Sequence, residues 1–201
     1  VINNGSALGV NADLTLKSGT TLKTTAAISE LKKDIALLGQ DGSQATINTA
    51  GGDVALNGAL TNDGVTKVGL IKEGLSTLTL SGDNSTYQGK TTIKEGNIAI
   101  NDAKNLGGKI DVELAGGGLT LLNNLTIGAN ANDAINITGV KGEINTATGT
   151  TSEGGGGGGG PEINGNGING GTGLNINIIG SVVLYGGGGG GQRNYSWVPG
   201  A

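Results

Sequence analysis

Ile71-Lys72-Glu73-Gly74 returns 22 residues later as Ile93-Lys94-Glu95-Gly96, and each copy opens onto an aliphatic alternation. Leu78-Thr79-Leu80 follows the first copy and Ile98-Ala99-Ile100 the second. Alternation sends aliphatic side chains to one face of a strand and Thr or Ala to the other. Strands this short do not hold as isolated hairpins, so they need neighbours stacked above and below. A period of about 20–25 residues carrying one such unit is the spacing of a single coil of a parallel solenoid. Residues one period apart would then stack at about 4.8 Å, aliphatic on aliphatic. The fold class this predicts is all-β: a single-stranded parallel β-helix with about 20–25 residues per coil. The whole length would make on the order of 8 to 9 coils if all of it wound.

The same unit appears on both sides of the repeat. Leu14-Thr15-Leu16, Val54-Ala55-Leu56, Leu119-Thr120-Leu121, Leu125-Thr126-Ile127 and Ile135-Asn136-Ile137 are each bounded by Gly, Asn or Asp, residues that supply turn conformations. Composition agrees. Of 201 residues 43 are Gly, while Phe, Met, Cys and His are absent and the aromatics are one Trp and three Tyr. The apolar content is therefore Leu, Ile, Val and Ala, which suits a narrow column of medium-sized side chains better than a wide core built on rings.

Two regions break the pattern. In Thr25–Leu38 the residues Ile28, Leu31, Ile35 and Leu38 have helical spacing with Gly39 as a cap; the alternative is two strands with a corner between them. Beyond residue 153 come seven glycines, Gly154–Gly160, and later six, Gly186–Gly191. Such tracts lose the most entropy on ordering and behave as linkers. They read as engineered linkers, natural low-complexity loops or placeholders, and their uniformity favours a non-natural origin. Between them residues 161–185 hold strand-forming runs suited to further coils, and residues 186–201 form the second tract and a tail bearing Trp197. The expected division is thus 1–153, 154–160, 161–185 and 186–201.

At Ile47–Leu106 the residues resemble a known family. Lys72-Glu73-Gly74, then Leu78-Thr79-Leu80-Ser81-Gly82, then Asn84-Ser85-Thr86-Tyr87-Gln88-Gly89-Lys90-Thr91, then a strand opening after Gly96, is similar in order to the passenger-associated transport repeat of bacterial type V autotransporters. The departure is the two residues, Ser85 and Thr86, between Asn84 and Tyr87. The resemblance weakens towards Gly149 and is not carried past Gly154. It implies a right-handed β-helix passenger reaching the cell surface or medium through periplasm and outer membrane, with a β-barrel translocator in the parent protein. Val1 carries no signal-peptide pattern before it and is expected to lie inside that longer polypeptide.

Catalytic devices are scarce. Without His or Cys there is no Ser-His-Asp triad, no thiol nucleophile and no His-based metal site. A carboxylate pair, as in glycosidases, would have to come from Asp102, Asp111 and Glu113. Regular Gly-Gly-x-Gly-x-Asp calcium repeats are missing, Gly116-Gly117-Gly118 lacks the Lys-Ser/Thr of a phosphate loop, and Tyr87, Gly82, Gly89 and Gly96 read as corner residues. The sequons at Asn84 and Asn136 matter only in a eukaryotic secretory route. No catalytic, cofactor or metal residue is therefore expected. A net charge of −4 without a basic patch excludes nucleic acid, and no run of about 18 apolar residues would insert in a membrane.

The leading expectation is a non-catalytic structural or adhesive stalk. Polar residues at outward strand positions, such as Thr79, Thr92 and Asn136, would contact another copy or a host-surface receptor or glycan. The alternatives are a carbohydrate-active β-helix enzyme and an engineered chain carrying a grafted segment.

Overall fold

The computed structural model describes residues 1–9, 13–123, 125–127, 133–139 and 142–146, with the backbone of strands at 152–154, 174–178 and 181–185. The chain first passes β1 (Leu14–Lys17), β2 (Thr21–Lys23) and β3 (Ile28–Leu31), then β4 (Ile35–Leu38), β5 (Gln44–Asn48) and β6 (Val54–Leu56). A third coil carries β7 (Leu60–Thr61), β8 (Gly69–Glu73) and β9 (Thr77–Leu80). The next two have strands on two faces: β10 (Thr91–Ile93) and β11 (Asn97–Ile100), then β12 (Asp111–Leu114) and β13 (Gly118–Leu121). After them come β14 (Leu125–Ile127), β15 (Ala134–Ile137), β16 (Glu143–Thr146), β17 (Ser152–Gly154), β18 (Leu174–Ile178) and β19 (Ser181–Tyr185).

Stacking is parallel and by face. One ladder runs β1-β4-β7, a second β2-β5-β8-β10-β12-β15-β18, and a third β3-β6-β9-β11-β13-β16. This is the β-solenoid the repeat predicts, and about five turns separate β2 from β15. Inward residues pile into columns: Ile28, Val54, Leu78, Ile98, Leu119 and Ile144 stand in one, and Leu31, Leu56, Leu80, Ile100 and Leu121 in its neighbour. All of them except Ile144 are buried. The strand β18 continues the second ladder with Ile176 beneath Ile135, and β19 folds back antiparallel against β18. Gly155–Gly160, Gly186–Gly191 and the tail with Trp197 lie outside the described residues.

Thr25–Leu38 holds the strands β3 and β4, not a helix. Its helix-like spacing comes from a register shift between Ile28 and Leu31 against β6; an extra residue in a strand, as in a bulge, puts two inward side chains three apart instead of two. The 22-residue repeat is not the register of the ladder: Leu70 faces Thr91, Ile71 faces Thr92 and Lys72 faces Ile93, an offset of 21. On the third face Leu78 stands over Ile98, an offset of 20. A slip of one residue reverses the face, so the two copies of the motif point opposite ways. Ile93 is inward and Lys94 exposed, whereas Ile71 is outward and Lys72 is inside the solenoid.

The coil shortens because the first face loses its strand. From Ala45 to Leu70 takes 25 residues, from Leu70 to Thr91 only 21. Where a strand would lie under β7, the turn Asn84–Tyr87 closes with the Tyr87 amide on the Asn84 carbonyl at 2.8 Å. One coil later a 3-10 turn, Ala103–Leu106, fills the same gap.

Candidate functional site

The closing corner is built from side chains that do the work of a missing strand. Asn84, fully buried, accepts the Leu60 amide at 2.6 Å on Oδ1 and donates through Nδ2 to the Asn105 carbonyl at 2.6 Å. Asn105 in turn donates to the Gly82 carbonyl at 2.8 Å and receives the Asn101 and Asp102 amides. Three coils are thus tied by two amides. Tyr87, 1 % exposed, lies alongside: its hydroxyl accepts the Leu70 amide at 2.9 Å and donates to the Lys90 carbonyl at 3.0 Å. Burial pushes its phenol above the usual tyrosine range. The corner role expected of Tyr87 is the one it has, and the two residues between Asn84 and Tyr87 are the exposed tip of the turn.

Lys72 was not singled out by the sequence. It replaces an aliphatic side chain in the column Leu22, Ile47, Lys72, Ile93, Leu114. Its stem fills the column, and its ammonium donates to the carbonyls of Glu73 at 3.0 Å, Gly74 at 2.7 Å and Glu95 at 3.1 Å. All three protons are used. Gly74 has φ +83°, a conformation open to glycine, and its amide is held by Glu95 Oε2 at 3.0 Å. Burial lowers the Lys72 amine to about 8, against the attraction of Glu95 and Asp53. The unfolded chain therefore binds more protons than the folded one between pH 8 and the usual lysine range, so stability from this group rises with pH across that window. Wild type measured against Lys72→Met is expected to gain on the order of 1 kcal/mol between pH 7.5 and 9.5 in urea unfolding. Unchanged stability difference across that interval would refute it.

The outer faces are occupied largely by their own side chains. On the second ladder Lys94 pairs with Glu73 at 3.3 Å, and Gln44 reaches over Gly69 to the Thr92 hydroxyl at 2.9 Å, two coils away. Thr92 is consequently 7 % exposed, which corrects its reading as an outward contact residue. Thr79 and Asn136 do face outward, half-buried. Of the carboxylates considered for catalysis, Asp111 and Glu113 share the outer face of β12. Glu113 is paired with Lys90 and takes the Thr138 hydroxyl at 2.7 Å, which together hold it below the usual carboxylate range. Asp102 is elsewhere, capping the 3-10 turn by accepting the Lys104 amide at 3.0 Å. Among the described residues no group of three or more Asp or Glu is placed to hold a metal ion.

A family model covers this same stretch. Residues 70–100 fit the family model of the passenger-associated transport repeat. The chain carries that repeat. Its span begins at Leu70 in β8, ends at Ile100 in β11, and contains Lys72, Asn84 and Tyr87. No curated protein and no solved structure shows significant similarity. The transport repeat and the parallel solenoid around it fit the β-helix of an autotransporter passenger. A passenger repeat implies export to the surface or beyond and a translocator in the parent protein, and its family belongs to passenger stalks that are generally non-catalytic.

Proposed function

We propose that this segment is a non-catalytic stalk of an exported passenger, and that its third face associates with a second copy or a host surface. The observation carrying the first part is what the outer side chains do. Lys94 with Glu73, Lys90 with Glu113, and Gln44 with Thr92 spend their polar groups on neighbouring coils, and Asp102 spends its carboxylate on a turn. Side chains committed this way stiffen a rod and draw Glu73, Glu113 and Asp102 away from acid–base work. The third face differs. Ala55, Thr79 and Thr120 stand half-buried in register along it, small and uncharged, with Ala99 covered between them, so a partner could approach closely with little charge to desolvate.

Sedimentation velocity over a concentration series tests the self-association. Wild type is expected to show a concentration-dependent rise in mass that Thr79→Lys/Thr120→Lys abolishes, since opposed lysines on a flat face repel. A monomer at every concentration removes self-association and leaves a receptor or glycan as the partner. Cleavage of any member of a polysaccharide panel would remove the non-catalytic reading. The proposed division keeps residues 1–153 as the passenger solenoid segment, 154–160 as a linker tract, 161–185 as a further strand-forming segment suited to additional coils, and 186–201 as a glycine tract and tail.

A further inference from the structure

Lys72 is an expensive way to fill a column that otherwise holds Leu and Ile. An ammonium taken out of water is tolerated only when its protons are all accepted, and the acceptors here come from two coils. The carbonyls of Glu73, the last residue of β8, and of Gly74, in the turn that follows, belong to one coil, and that of Glu95 belongs to the turn that follows β10. The lid over the stem is Ile93, also from the later coil. The coupling runs in the other direction too. The Gly74 amide is held by the Glu95 carboxylate, and the Lys94 amide by the Lys72 carbonyl at 3.0 Å. Outside, Lys94 closes on Glu73.

We propose that Lys72 is an interlock between two successive coils: the turns at Gly74 and Gly96 close together or not at all. The reason is the unequal cost of half-closed states. If β10 settles with Ile93 over Lys72 while the Glu95 turn is open, one ammonium proton is sealed in without an acceptor. If the Gly74 turn opens under a closed β10, the proton on the Gly74 carbonyl is stranded. An aliphatic residue at the same place carries no such penalty, and the two turns could then fray separately, as local openings ordinarily do. The β8 and β10 coils would behave as one cooperative block inside a solenoid whose coils otherwise add one by one.

Native-state amide exchange on the whole chain tests this. The two reporters are the Gly74 amide and the Lys94 amide, one in each linked segment. In wild type they are expected to exchange through a single opening, with equal protection within about threefold. In Lys72→Met, which keeps the stem but has no protons to place, Gly74 protection is expected to fall about tenfold or more relative to Lys94. A residue that served only as packing would lower both together. Equal protection in Lys72→Met overturns the interlock. So does a more than tenfold difference between the two amides in wild type, a measurement that stands even if the variant fails to fold. Neither outcome depends on whether the segment is an adhesive stalk.

Discussion

Replacing Tyr87 with Ala is expected to destabilise the chain by about 3–5 kcal/mol, the cost of emptying an aromatic site in a packed core. The side chain is 1 % exposed and is the one aromatic in the core among the described residues. It occupies the volume that a first-face strand would fill in neighbouring coils, so the coil has no backbone with which to close the void. The lost hydroxyl adds a smaller amount. Leu70's amide keeps a second acceptor in the Lys90 carbonyl at 2.9 Å, and the Lys90 carbonyl keeps that amide in return. Tyr87→Phe is accordingly expected to cost only about 1 kcal/mol. Urea unfolding of both variants separates the two parts. If Tyr87→Phe lost as much as Tyr87→Ala, the hydroxyl's hydrogen bonds would outweigh the ring's packing, and the void would not be what destabilises the coil.

The solenoid was legible in the sequence because its signal is additive. Leu78-Thr79-Leu80 and Ile98-Ala99-Ile100 alternate by themselves, and their recurrence at the period of one coil points to the parallel stacking they have. Register was less legible. The eye aligns Ile71-Lys72-Glu73-Gly74 with its copy, but the ladder is set by which residues can be buried on both sides, and Leu70 above Thr91 with Val112 below wins over matching letters. One buried lysine was the cost, and a three-carbonyl nest at Gly74 is not visible in a linear pattern because Glu95 lies in the next coil. The bulge between Ile28 and Leu31 was hidden for the same kind of reason: spacing by three reads as a helix until β6 is placed opposite. Thr92 alternates as an outward residue and is one, yet Gln44, 48 positions earlier, covers it. Sequence alone placed the faces; it did not place the side chains that cross coils.

That same crossing makes Asn84→Asp the sharpest chemical test of the corner. The change alters one atom's character and almost no volume. Asn84 uses both ends of its amide, accepting from Leu60 and donating to the Asn105 carbonyl. A carboxylate keeps the first bond and turns the second into a contact between two acceptors, inside a fully buried site. The expected loss at neutral pH is about 3–5 kcal/mol, the range for an uncompensated buried charge. Its pH dependence carries the argument. Burial and the facing carbonyl both oppose ionisation, so the folded-state pKa of the new carboxyl is raised above its unfolded value. Stability is then fully present below the unfolded carboxylate range, where the protonated group can donate to Asn105 as the amide did, and is lost as pH rises through the folded pKa. The variant should therefore recover on acidification relative to wild type. A deficit that stays constant from pH 7 down to pH 4 would mean that the Asn105 bond contributes nothing and that the turn is held by its backbone alone.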